Sequence, residues 1–234
     1  MNKFLFAVAV SGLLYGGATF AQDAKPNFLP QEVLDLSAIL PPAPANDSPV
    51  TKAEIAEIHR TQTEASAAEK AQAKADVQED AYVFANVLGP NFSADKLPVA
   101  APFLALVEKA ESEFVNPAKK IFGRPRPPLL DTTITPCDKL PASGSYPSGH
   151  ATTGYLMAVV LSQIVPEKRD AIFARAAEFA HNRVLCGVHY PSDIEAGKIS
   201  GTVIAAFLMD NPAFKTAFAP AKAEVRKVLG LPAQ

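Results

Sequence analysis

The sequence predicts an all-α protein folded around one core. Apolar residues recur at helical spacing through Leu104, Val107, Ala110, Phe114 and Ala118. Pro166 and Pro191 stand just ahead of apolar runs, where the first turn of a helix tolerates a missing N–H. Alternation of apolar and polar residues, the mark of a half-buried strand, is nearly absent.

Residues 1–21 have the pattern of an export signal. Lys3 gives a positive start, residues 4–14 an apolar run, and Thr19-Phe20-Ala21 a small-residue cleavage site. On that reading Gln22 begins the mature chain, and its destination is the periplasm or the exterior. The apolar run is shorter than the ~20 residues that cross a bilayer. Residues 22–50 are rich in proline and read as an extended arm over the surface, while 51–234 form one helical domain. Thr51-Lys52-Ala53-Glu54 has the form of a capping box and opens a largely exposed helix reaching about Ala75. Further helices are expected over 77–87, ended by Gly89-Pro90, over 102–120, over 148–165, from Pro166 to about Asn182, and from Pro191 to Met209. Between Gly123 and Pro147, eight prolines and glycines keep the chain irregular. In the helix after Pro191, Gly197, Gly201 and Ala205 recur every four residues and leave a smooth stripe for a close neighbour.

Composition narrows the function. Lys and Arg number 22 against 24 Asp and Glu, a net charge of −2, and −3 once Lys3 leaves with the signal. Such a balance argues against nucleic acid or an anionic membrane as a bulk partner, so any attraction for anions must be local. Beyond the signal, the most apolar runs, 155–161 and 203–209, are seven residues each, and no membrane span is expected. The two cysteines, Cys137 and Cys186, are either a disulfide of an exported chain or two separate buried thiols.

Three clusters carry chemistry. Lys119-Lys120-Ile121-Phe122-Gly123-Arg124-Pro125-Arg126 places four cations at a helix end and in a proline-stiffened turn, where Arg forks match phosphate oxygens. A run of cations favouring a helix C-terminus is the plainer reading. Gly144-Ser145-Tyr146-Pro147-Ser148-Gly149-His150 precedes an apolar helix whose first N–H groups can meet an anion, although Ser148 also suits a simple N-cap. In Arg183-Val184-Leu185-Cys186-Gly187-Val188-His189-Tyr190-Pro191-Ser192-Asp193, a carboxylate four residues beyond a histidine can hold one imidazole nitrogen and leave the other as a nucleophile.

In this order, K-x6-R-P, P-S-G-H and R-x5-H-x3-D, the clusters resemble the signature of the type 2 phosphatidic acid phosphatase superfamily, and more closely the class A bacterial non-specific acid phosphatases. Ile55-Ala56-Glu57-Ile58-His59 and Ala75-Asp76-Val77-Gln78-Glu79-Asp80 are similar to the N-terminal helices of that group. The resemblance implies a single-domain helical bundle and hydrolysis of phosphate monoesters through a phosphohistidine. His189 is implied as the nucleophile, Asp193 as its orienting carboxylate and His150 as the acid for the leaving group. Lys119, Arg126, Ser148, Gly149 and Arg183 are implied as the phosphate cradle. No cofactor and no metal are implied. The expected substrates are small phosphomonoesters such as nucleotides, sugar phosphates and aryl phosphates, and a homo-oligomer is implied. Asn182 stands where the group has Ser, a departure from its pattern, and is not carried into the implied cradle. A pH optimum on the acid side is expected, because the acid must begin protonated. Two other readings share the cradle: a vanadate-dependent haloperoxidase and a phosphate-binding protein without turnover. The latter has no use for a second histidine.

Overall fold

The computed structural model describes residues 27–233. The export signal and the start of the arm lie outside the described residues. Among the described residues ten α-helices follow in order: α1 (Leu36–Ile39), α2 (Pro49–Glu64), α3 (Ala67–Ala75), α4 (Ala85–Leu88), α5 (Ala100–Phe122), α6 (Pro127–Leu130), α7 (Gly149–Ile164), α8 (Arg169–Leu185), α9 (Pro191–Asp210) and α10 (Pro212–Val228). No strand occurs among the described residues, and the fold is all-α.

Helix α7 is the axis of the bundle. Its apolar residues leave few faces for water, and α5, α8 and α9 pack around it. The stripe of Gly197 and Gly201 is where α9 meets α7: a Cβ on Gly197 would lie 2.6 Å from the Ser148 carbonyl oxygen. Helix α5 buries the residues that its periodicity selects, Leu104, Val107, Ala110, Phe114 and Ala118. It ends at Gly123, whose φ of 57° is the left-handed cap that glycine adopts without strain.

The N-terminal third departs from the expectation in four places. The described part of the arm does more than cover the surface, since it buries Phe28, Leu29, Leu34, Leu36 and Leu40 in the main core. Phe28 packs against Phe103 and Phe214 with ring centroids 5.9 and 5.4 Å away, and each such buried ring contributes about 1.5–3 kcal/mol. The N-cap of α2 is Ser48, with Pro49 in the first turn, and not Thr51. Thr51 then becomes an N3 residue whose N–H the Ser48 Oγ accepts, and Glu54 is free to act elsewhere. The helix also does not run through to Ala75. It stops at Glu64, and a full capping box of Ser66 and Glu69 starts α3 afresh. The expected helix over 77–87 is a 3₁₀ turn, Ala81–Phe84, running into the single turn of α4.

Candidate active site

Proline and glycine between α5 and α7 bring the cationic cluster back against the start of α7, and α9 begins beside the same place. Ser148 caps α7, its Oγ accepting from Ala151 N at 3.3 Å, and its own N–H donates to the Asp193 carbonyl at 3.0 Å. This bond ties the start of α7 to the start of α9. Ahead of the first intrahelical bond, the Gly149 and His150 N–H groups stand at the positive end of the helix.

His189, 3 % exposed, is held at both nitrogens. Its Nδ1–H donates to Asp193 Oδ2 at 3.2 Å, and its Nε2 accepts from Arg126 Nη1 at 3.2 Å. That pattern belongs to a neutral ring with its lone pair on Nε2. Burial, reinforced by the charges of Lys119, Arg126, His150 and Arg183, holds the imidazole well below its ordinary pKa. Asp193 is fully buried and accepts from Arg124 Nη1 at 2.7 Å and from Tyr190 N at 2.9 Å. Burial pushes its carboxyl upward, and the Arg124 guanidinium pulls against that.

A cavity of about 70 Å³ has Arg126, His150, Arg183 and His189 in its walls, together with Asp138 and Lys139. Arg126 reaches it from a frame of carbonyls, Ser143 O and Val188 O, each at 2.9 Å. Arg183 Nη2 donates to Ala73 O at 2.5 Å, while its Nε is buried without a partner among the described residues. A buried unpaired guanidinium N–H is costly unless something with lone pairs fills the space beside it. Burial lowers Arg183 to about 10. Lys119 lines a neighbouring groove of about 670 Å³ that shares Arg126 with the cavity. Its ammonium donates to Gly144 O at 3.0 Å, and burial, then repulsion by Arg126, brings it down to about 8.

His150, also in the cavity wall, is stacked on Phe179 at 5.4 Å between centroids. Its Nδ1 lies 2.9 Å from Glu79 Oε2 and its Nε2 3.1 Å from the Val77 carbonyl. Both partners present acceptor oxygens to the ring. Burial works to raise the Glu79 carboxyl, yet the hydrogen bond and charge of His150 hold it below its ordinary range. Beside it, burial and then the Glu79 charge push Glu111 up to about 8. Glu79 was legible in the sequence only as part of a family-like segment, with nothing local to link it to a histidine 71 residues away.

Cys137 and Cys186 form a disulfide, which decides between the two readings of the cysteines. The bond, with Cys137 N donating to Cys186 O at 3.1 Å, ties the loop carrying Asp138 and Lys139 to the end of α8. Asn182 Nδ2 donates to Asp76 Oδ2 at 2.7 Å, in a buried cluster with Arg175, and lies outside the cavity wall. Among the described residues no group of three or more His, Cys, Asp or Glu is arranged to hold a metal ion. No helix of the described residues is long and apolar enough to cross a membrane.

Comparison with known proteins gives this geometry its context. The model of the PAP2 superfamily matches residues 101–216, the span from α5 into α10 that carries all three clusters. A protein of Salmonella typhimurium named non-specific acid phosphatase is 32% identical over 232 residues, covering 95% of this chain and 93% of its own. One of Providencia stuartii with the same name is 31% identical over 246 residues, covering 97% of this chain and 99% of its own. A lipid A 1-phosphatase of Rhizobium etli is 36% identical over 90 residues, 37% of this chain and 39% of that protein. With likeness running through nearly the whole length and residues of each signature cluster in the wall of one cavity, the chain belongs to the PAP2 superfamily and, within it, to the family of the bacterial non-specific acid phosphatases.

Proposed function

We propose that the chain hydrolyses small phosphate monoesters in two steps, through a phosphate carried on His189. The observation that carries the reading is the neutral His189 ring, fixed by Asp193 at Nδ1, with Nε2 directed at a cavity walled by Arg126, Arg183 and His150. In the first step Nε2 attacks phosphorus, an N–P bond forms, and the bond to the leaving oxygen breaks. His150 gives that oxygen its proton. Water then attacks the phosphohistidine, His150 takes a proton from it, and the N–P bond breaks to return neutral His189 and free phosphate. An alcohol in place of water would yield a new ester.

The charge spread over the equatorial oxygens in transfer is met by Arg126, Arg183 with its unpaired Nε, the field of Lys119, and the N–H groups at the start of α7. Ser148 holds that helix start in place and can donate its hydroxyl. The fit of the cradle to phosphate rests on these donors alone. Nucleotides, sugar phosphates and aryl phosphates all present the same dianion to it. The homo-oligomer and the periplasmic or secreted location implied by the resemblance belong to this proposal.

Mixing the protein with a 32P-labelled monoester and quenching in base should trap label that is stable to base and labile to acid. Turnover without any trappable label, at substrate concentrations well above KM, would remove the phosphohistidine from the scheme. Inhibition by vanadate, with no halide oxidation, would set the chain apart from a haloperoxidase.

Lys119 gives the pH profile a second edge. With its ammonium lowered to about 8, the free protein loses a cation as pH rises through that value, so kcat/KM should fall on the alkaline side. Lys119→Arg keeps the charge and should displace this limb beyond pH 9, by roughly one unit or more given the higher intrinsic pKa of a guanidinium. An unmoved limb would assign the titration to another group.

A further inference from the structure

Arg124 lies beside the signature arginine and takes no part in the cavity wall, yet it is 2 % exposed and bound to Asp193. Its Nη1 donates to Asp193 Oδ1 at 2.7 Å and to Ser192 Oγ at 2.7 Å. Its Nη2 donates to Glu54 Oε2 at 2.7 Å, and its guanidinium carbon sits 3.8 Å above the Tyr190 ring. Glu54 in turn accepts from Ser192 N at 2.7 Å, which closes the network onto the first turn of α9. Four side chains thus form a chain from α2 to the cavity: Glu54, Arg124, Asp193, His189.

We propose that Arg124, locked by Glu54, is a positioning residue that holds the Asp193 carboxylate in place and, through it, sets both the aim and the protonation of His189. The inference rests on the reading of His189 as nucleophile. A cation that merely favoured the end of α5 would lie in solvent, and a structural ion pair would be complete with Glu54 alone. Here one fork of the guanidinium goes to each carboxylate. Without it, two buried carboxylates would stand near each other with no ion-pair partner, and Asp193 would keep hydrogen bonds only to the neutral ring and one N–H.

A bare aspartate next to an imidazole favours the imidazolium, which cannot attack phosphorus. Arg124 offsets that pull, so that His189 stays neutral in the acid range where His150 must still carry its proton. Among the groups facing His189 from each packed element, Lys119 of α5, Arg126, His150 of α7 and Arg183 of α8 disfavour the imidazolium. By Coulomb's law Arg124, bound to Asp193, adds to them, while Asp193 of α9 on the ring and, at longer range, Glu54 of α2 behind Arg124 and Glu79 behind His150 favour it. Removing Arg124 makes a proton on Asp193 or on His189 easier to add, and either disarms the nucleophile. Removing the Glu54 charge does the reverse.

The test is kcat/KM for p-nitrophenyl phosphate from pH 3.5 to 8, on the full chain with Arg124→Met, Arg124→Lys and Glu54→Gln, each checked for folding by thermal melting. Arg124→Met should lose about 10- to 100-fold at the optimum and move the acid limb up by roughly one pH unit. Arg124→Lys should recover much of both, since an ammonium can reach one carboxylate. Glu54→Gln, nearly the same shape, should move the limb down. Should Arg124→Met fail to fold, the downward shift of Glu54→Gln decides. A folded Arg124→Met or Glu54→Gln whose acid limb coincides with that of the parent overturns the inference. Phosphate trapped on parent His189 together with unmoved limbs would overturn this step alone, whereas no trapped phosphate on the parent overturns the reading beneath it and this inference with it.

Discussion

Replacement of His189 by alanine is expected to cut kcat/KM for an aryl phosphate by about 10⁴-fold or more, and to abolish the trapped label. The loss should be confined to chemistry. His189 is not a core side chain in the packing sense: its partners are Asp193, Arg126 and the cavity. Asp193 would keep Arg124 and the Tyr190 N–H, and Arg126 would keep the carbonyls of Ser143 and Val188. Inorganic phosphate should therefore still bind, as competition in a displacement measurement or a raised melting temperature would show. The split is the informative part. A folded alanine variant that binds phosphate but does not turn over places His189 in the bond-making step. A variant retaining a tenth or more of the parent rate would move the nucleophile to water and leave His189 as a hydrogen-bonding wall.

How far the sequence could be read follows from the range of the interactions involved. The stretch 148–150 and the pair His189 and Asp193 were legible because they act over one helical turn: a cap, a first-turn N–H and a carboxylate four residues from its histidine are local facts. Helix α5 was legible because one face is apolar and the other is not, and α7 because its apolar residues run nearly all round. The start of α2 was misread between two capping residues three apart. Pro49, which suits a first helical turn, already favoured Ser48 over Thr51. Ser66 and Glu69 likewise announced the break between α2 and α3. What stayed hidden had no local expression. Glu54 reads as a capping-box glutamate until Arg124, 70 residues later, is folded against it. Nothing along the chain says that Glu79 will meet His150, or that the proline-rich arm will seat Phe28 between α5 and α10. These are tertiary choices, and one sequence records only their ingredients.

The largest stability effect is expected at Gly201. It faces α7 so closely that a methyl group there would run into the Thr152 carbonyl oxygen and stand 2.8 Å from Leu156 N. Both atoms belong to the backbone of a buried helix, so no side chain can swing aside to relieve the contact. Gly201→Ala should gain a little helix propensity, yet the forced separation of α7 and α9 should outweigh it and destabilise the chain by about 3 kcal/mol, which lowers Tm by roughly 6–12 °C for a chain of this size. Thr202→Ala, one position on and exposed, is the control and should change stability by about 0.5 kcal/mol or less. The consequence reaches chemistry because the same two helices carry the two histidines' neighbourhoods: His150 lies in the first turn of α7, Asp193 in that of α9, and Ser148 N bonds Asp193 O between them. Any fraction of Gly201→Ala that folds should thus show a lowered kcat together with its lowered Tm. Melting indistinguishable from the parent would mean that α9 can shift along α7 without cost, and that the small-residue stripe does not set the spacing of the site.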